Sequence, residues 1–124
     1  MIKLTLQGTP PSLNVWSRMH WAKAAKIKKQ WENDILYTLL TTHALRAGEQ
    51  FPYKKANIKI TYYFATNRRR DADNLNLKFL LDGIVKAGII KDDSTNVIGQ
   101  VETSWGVDKA KPRVEIEIRE IRKE

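Results

Sequence analysis

Arg68-Arg69-Arg70-Asp71-Ala72-Asp73-Asn74 sets three cations directly against two carboxylates spaced by one residue. In extended backbone, residues i and i+2 point to the same side, so Asp71 and Asp73 face one another if the preceding strand persists through Asp73. Two carboxylates roughly 5 Å apart repel by about 3 kcal/mol at an effective dielectric near 20, and the pair then calls for a proton, an arginine or a cation. A hard divalent ion such as Mg2+ answers that demand, because it takes oxygen ligands: one or two protein carboxylates, with water and substrate phosphate in the remaining positions. A structural reading uses the same residues differently. Asp73 caps the N-terminus of a following helix, and Asp71 is neutralised by the adjacent arginines.

Composition narrows the chemistry. There is no cysteine and there are two histidines, so neither a disulfide framework nor a thiolate or histidine-rich zinc centre is expected, and any metal is held by oxygen. The net charge is +8, from 22 Lys+Arg against 14 Asp+Glu, and the pI is near 9.8. This balance favours a polyanionic partner, since neutralising phosphates releases condensed counterions. With 124 residues, a single domain over 1–124 is expected. The amino-terminal Met1-Ile2-Lys3-Leu4-Thr5-Leu6 is too short and polar for a signal peptide, and no apolar run is long enough for a membrane span, so the expectation is a cytoplasmic protein.

The elements that must position the acidic pair follow from periodicity. Ile2, Leu4 and Leu6 alternate with Lys3, Thr5 and Gln7 as in a half-buried strand, and Gly8 ends it. Thr9-Pro10-Pro11-Ser12-Leu13-Asn14 is a stiff loop. From about Trp21 to Ala47 the residues favour helix, with Gly48 as the stop, and Trp31, Ile35, Leu36, Leu39, Leu40 and His43 share a face. His43, among apolar neighbours, reads as a packed histidine. A second strand carries Ile58, Ile60, Tyr62 and Phe64 on one face and leads to Arg68. Leu77, Leu80, Leu81, Ile84 and Val85 match the i, i+3, i+4, i+7, i+8 helical template, and Gly88 is the expected C′ residue. Val97–Trp105 and Arg113–Ile121 read as strands, joined by Gly106–Pro112 as a flexible hairpin loop whose two lysines are placed to touch DNA. Residues from Arg119 onward are expected to fray. The order strand, helix, strand, helix, strand, strand gives an α+β fold, a small mixed β-sheet with two main helices packed on one side.

Several side chains carry two readings. Trp16 and Trp21 flank a basic stretch and are either core residues or stacking platforms for bases. Lys23, Lys26, Lys28 and Lys29 form either a basic collar for phosphates or a solvated face. Lys78, Asp82 and Lys86, spaced by four, form either a surface ion-pair ladder or a row whose first lysine leans back toward Asp73 to hold a phosphate. Asp92 and Asp93 make either an Asx turn or a third carboxylate returned beside the sheet.

Pro10-Pro11-Ser12-x-Asn14, Arg68-Arg69-Arg70-Asp71-x-Asp73-Asn74-Leu75, and Lys86-Ala87-Gly88 running on to Asp92-Asp93 together resemble the RusA family of Holliday junction resolvases over most of the chain. The resemblance implies a RusA-like fold and an Mg2+-dependent endodeoxyribonuclease that resolves four-way junctions in branched DNA by paired nicks. It also implies a homodimer with no small-molecule cofactor. It places Asp71, Asp73 and Asp93 as catalytic metal ligands, with Arg70 and Lys78 as basic partners; Arg68, Arg69, Lys23 and Lys26 are the further candidates for DNA contact. Lys78 lies five positions beyond Asp73, where the family's pattern has four. On a regular helix that extra residue turns it about 100°, unless the helix starts later or bulges. The rival readings are a non-catalytic nucleic-acid-binding protein and a metal-dependent nuclease for flaps, other branched DNA or RNA.

Overall fold

The computed structural model describes residues 1–42 and 48–122. Its elements are β1 (Ile2–Gln7), α1 (Leu13–Ser17), α2 (Trp21–Thr41), β2 (Ala56–Phe64), α3 (Leu77–Lys86), β3 (Ile98–Val107) and β4 (Arg113–Glu120), with a one-turn 3-10 helix at Ala72–Asn74. The strands form one mixed sheet in the order β1-β4-β2-β3. β4 is antiparallel to both β1 and β2, and β2 and β3 are parallel. The α+β expectation therefore holds, with one added short helix. Ser12, read as part of a loop, caps α1 by accepting a hydrogen bond from Val15 N at 3.3 Å.

Period-2 patterning decides which face of the sheet is dry. Ile2, Leu4 and Leu6 of β1, Ile58, Ile60 and Tyr62 of β2, and Val114, Ile116 and Ile118 of β4 are all buried, and they meet Ile35 and Leu39 of α2 and Leu80 and Ile84 of α3 in one core. The two long helices approach closely at Gly83, where a Cβ would collide with Ile35 Cδ1. Glycine is required there by proximity and not by backbone angle. Two ion pairs flank the contact, Lys28 to Asp82 at 2.8 Å and Lys86 to Glu32 at 3.0 Å. The expected ladder along α3 is thus replaced by bridges to α2, because opposite charges on the neighbouring helix come closer than those one turn away.

α3 ends as its sequence predicts. Gly88 has φ +81°, Ile89 N donates to Ile84 O at 3.2 Å and Gly88 N to Val85 O at 3.0 Å, which together satisfy the last carbonyls in a Schellman arrangement. α2 ends at Thr41, with Thr42 already extended, earlier than the expected Ala47. His43 lies outside the described residues. The apolar face of α2 is narrower than its periodicity suggests: Ile35 and Leu39 are buried, whereas Leu36, Leu40 and Trp21 are exposed. Trp21 is no core residue. Trp16 is half-buried, edge-on to Phe79 at 4.9 Å.

The largest topological departure is between β3 and β4. They do not form a hairpin, because β2 lies between them. Their connection crosses the end of β2 and is pinned there: Asp108 accepts from Ala110 N and Lys111 N at 3.1 Å and pairs with Arg113 at 2.7 Å, and Arg113 stacks over the Tyr63 ring at 4.1 Å. The Arg113 hydrogen bond holds the Asp108 carboxyl below the usual carboxylate range. Residues Arg119 and Glu120 belong to β4 and do not fray. No helix among the described residues is long and apolar enough to cross a membrane.

Candidate active site

β2 ends at Phe64, so the strand does not persist to Asp73. Asp71 is still extended, with φ −91° and ψ 133°, while Asp73 sits in the 3-10 turn that follows. The two carboxylates are thus displayed by a strand-to-turn junction and not by strand alternation. Neither side chain caps a helix: Asp71 stands at the N-cap position of the 3-10 turn without a side-chain hydrogen bond to it. The N-cap of α3 is Asn76, whose Oδ1 accepts from Phe79 N at 3.3 Å. Asp71 is exposed, and its only ion pair among the described residues is a loose 3.9 Å approach to the exposed Arg69, a contact worth little in water. Asp73 is exposed and makes no ion pair among the described residues. Both acids remain available.

The arginine run forms a wall between two clefts. On one side is a cleft of about 590 Å³, floored by Tyr62 and Phe64 and closed by the Pro10-Pro11-Ser12 loop. On the other is one of about 370 Å³ shared with Trp105, Gly106 and Val107 at the end of β3. The three arginines have different tasks. Arg70 places its guanidinium over the Phe64 ring at 3.9 Å and donates to Thr66 O, Arg68 O and Thr66 Oγ1, each at 3.0 Å. It fastens its own loop. Arg68 and Arg69 line both clefts and are exposed.

Two asparagines lock this loop to the amino-terminal one. Asn74 Oδ1 accepts from Asn14 N at 2.9 Å, and Asn76 Nδ2 donates to Pro11 O at 3.0 Å. Asn76 is 1% exposed and bonded through both ends of its amide. These links explain why a Pro-Pro-Ser-x-Asn loop and an Asp-x-Asp-Asn-x-Asn loop, some sixty residues apart, share one site. The sequence offered a signal for Asn76, a capping residue placed just before an apolar-periodic helix. Asn76→Ala should remove the cap and strand a carbonyl, destabilising the chain by about 2 kcal/mol. The thermal midpoint should then fall by roughly 6–12 °C, and Asn76→Asp, which keeps the cap, should lose less.

By its sequence Tyr62 belongs only to the buried face of β2. It borders the first cleft with its ring and hydroxyl buried, and the hydroxyl has no hydrogen-bond partner among the described residues. Burial pushes its pKa up, so it stays a neutral donor.

Lys78 occupies the first turn of α3, exposed and without an ion pair among the described residues. Because α3 starts at Leu77, Asp73 lies outside the helix, so no regular helix runs from Asp73 to Lys78 and the turn of about 100° does not apply. Lys23 and Lys26 are exposed on α2 and line neither cleft. Lys28 leaves the proposed collar for Asp82.

Asp92 and Asp93 separate cleanly. Asp92 Oδ1 accepts from Ser94 N at 2.9 Å in an Asx turn, and that hydrogen bonding holds its pKa low. Asp93 is exposed. The chain does return to the sheet after α3, but at its far end: Ile90 bridges Tyr53 ahead of β2, and Ile98 N bonds Ser94 O where β3 begins. Asp71 lies past the opposite ends of the same strands, beside Val107. At about 3.3 Å per residue, a nine-residue strand separates these poles by roughly 25 Å. Among the described residues, no three of Asp, Glu or His are gathered closely enough to hold a metal ion.

The family profile described as "Endodeoxyribonuclease RusA" matches residues 9–119. The chain belongs to the RusA endodeoxyribonuclease family. It is similar to the protein named "Crossover junction endodeoxyribonuclease RusA" from Aquifex aeolicus (strain VF5), 34% identical over 121 residues, which cover 95% of this chain and 90% of that one. The matched span of this RusA chain contains every loop that builds the two clefts.

Proposed function

We propose that this RusA-family enzyme is an Mg2+-dependent structure-selective endodeoxyribonuclease that resolves four-way junctions in branched DNA, working as a homodimer in which residues 1–124 form one catalytic domain. The observation that carries the reading is the exposed Asp71/Asp73 pair, held by no more than a loose 3.9 Å contact to Arg69 among the described residues, beside two exposed arginines on a loop pinned by Asn74 and Asn76. Exposed all-oxygen donors fit Mg2+, which needs few protein ligands and keeps several waters. Asp71 and Asp73 would hold it, and when bound it supplies charge to stabilise the scissile phosphate and to activate the attacking water.

The chain's own residues do the rest. Arg68 and Arg69 face solvent at both clefts and grip backbone phosphate, contacts that fix position without reading sequence. Lys78 sits in the first turn of α3 to meet negative charge near the acidic loop. Arg70 acts by holding the loop in shape.

Asp93 enters this reading through the second copy. Among the described residues its carboxylate makes no hydrogen bond or ion pair where that of Asp92 does, yet it lies at the far pole of its own sheet, so the carboxylate that completes an Asp71/Asp73 site is Asp93 of the partner subunit. A two-fold dimer supplies two such sites, matching the pairing of opposed strands at a junction.

The test is cleavage of a labelled synthetic four-way junction with and without Mg2+, beside flap, linear duplex and RNA substrates. Paired metal-dependent nicks confined to the junction are expected. Preferential cutting of flap or RNA would transfer the reading to those substrates, and tight junction binding without cutting in Mg2+ or Mn2+ would leave a binding protein.

A further inference from the structure

Among the described residues Trp21 is the most exposed large apolar side chain, at 77%. A single exposed ring is ordinary on a protein surface, so its position has to carry the meaning. Two ion pairs set the register of the long helices: Lys28 meets Asp82 and, one turn on, Glu32 meets Lys86, so α2 and α3 run in the same direction with those rungs level. One turn back along both chains sets Ala24 level with Lys78, and a second turn back sets His20 level with Asn74. α3 begins only at Leu77. The first turn of α2 therefore stands beside the acidic loop, where no helix lies opposite to cover Trp21. The sheet places it at the same pole. Gln7 at the end of β1 and Tyr63 next to the end of β2 both pair with Arg113, so the chain that builds α1 and the start of α2 leaves the sheet on the side that displays Asp71. The hydrogen bond from Asn14 N to Asn74 Oδ1 and the packing of Trp16 on Phe79 fasten that chain there.

We propose that Trp21 is a stacking platform for one unpaired nucleobase of branched DNA, a residue that favours a branch over plain duplex; this rests on the junction-nuclease reading. Three observations select a base as the occupant. The indole is already oriented, 5.5 Å from the His20 ring at 31°, and His20 is held in turn by accepting from Ala22 N at 3.2 Å as the N-cap of α2. Stacking on a ring so placed costs little further side-chain entropy. The surroundings admit a polyanion: no Asp or Glu precedes Glu32, whereas Arg18, Lys23, Lys26 and Lys78 are exposed and make no ion pair among the described residues. Lys78, one turn along from Trp21, is placed for the phosphate of the same nucleotide. The third is chemical. In continuous duplex both faces of every base are covered by its neighbours, so an aromatic platform accepts only a base released from the stack, and a branch point is where strands part.

The platform is tested in EDTA, where binding proceeds without metal or cleavage. A four-way junction with 2-aminopurine at the branch point should brighten or dim on binding the unaltered chain, and the same probe placed in mid-arm should not respond. Trp21→Ala should lose the branch-point response and weaken junction binding by about fivefold to a hundredfold, with duplex binding unchanged, and Trp21→Phe should retain most of both. Because stacking releases no counterions, the slope of junction affinity with salt should be the same in Trp21→Ala as in the unaltered chain. A purely structural residue would neither separate junction from duplex nor be rescued by a second ring. The response of the unaltered chain stands as a readout even where Trp21→Ala fails to fold. No branch-point response, a response retained in Trp21→Ala, or an equal loss on duplex overturns the platform. Stacking by a chain that never cuts leaves the platform standing and sinks the nuclease reading, whereas junction cleavage with unaltered selectivity by Trp21→Ala does the reverse.

Discussion

Asp73→Asn is expected to reduce junction cleavage by at least about a hundredfold to a thousandfold, the scale of losing one group that stabilises transition-state charge, while junction affinity stays within a fewfold. Asparagine keeps the size of the side chain but not the charge that an oxygen-bound hard cation needs. Folding should be indifferent to the change, because Asp73 is exposed, caps no helix and makes no ion pair among the described residues. A melting curve coincident with the unaltered chain, together with single-turnover rates on a labelled junction, checks both halves. The second acidic pair gives an internal control. Asp93→Asn should match Asp73→Asn, whereas Asp92→Asn should change cleavage little, since asparagine makes the same Asx turn onto Ser94 N. Equal loss at 92 and 93, or none at 93, would remove Asp93 from the site.

Mixing two inactive variants should restore activity. If Asp71 and Asp73 of one copy work with Asp93 of the partner subunit, a dimer of one Asp73→Asn chain and one Asp93→Asn chain holds both lesions in one site and none in the other. Random exchange of equal amounts makes half the dimers mixed, so about one quarter of the sites should be intact. Because each mixed dimer has a single working site, the products should be lone nicks and not paired ones. The measurement is nicking of a supercoiled plasmid carrying an extruded cruciform, with each variant alone as the blank. Recovery after unfolding and refolding the mixture, and none without exchange, identifies a site shared between subunits. No recovery in a mixture shown to contain mixed dimers would place all three carboxylates in one chain, against the separation of roughly 25 Å set by the strand length.

Asn74 and Asn76 show how the site was only half legible. Their places beside the acidic motif could be read directly, but Asn14 N and Pro11 O, the groups they bind, lie some sixty residues away and nothing local pairs them. Arg70 is similar. Three adjacent arginines look equivalent along the chain, and they differ only because one of them meets the Phe64 ring and two Thr66 oxygens. Asp82 reads as one rung of a ladder until α2 brings Lys28 to 2.8 Å.

What the sequence by itself determined is local or compositional. It excluded thiolate metal chemistry, made the chain a partner for polyanions, set the strand faces by alternation and α3 by its apolar repeat, and carried the loop motifs of the RusA family. The tertiary structure decided everything that depends on what stands opposite. Periodicity orients a face but does not say how far a neighbour covers it, so Leu36, Leu40 and Trp21 are exposed on α2 and Val101 and Trp105 on β3. Two strands adjacent along the chain need not pair, and β2 between β3 and β4 turned an expected hairpin into a crossing. The parallel β2-α3-β3 crossover decided most for function, because it returns the chain to the start of the sheet and carries Asp93 away from Asp71. Separation of that kind is set by strand direction, a long-range property that no window of residues contains.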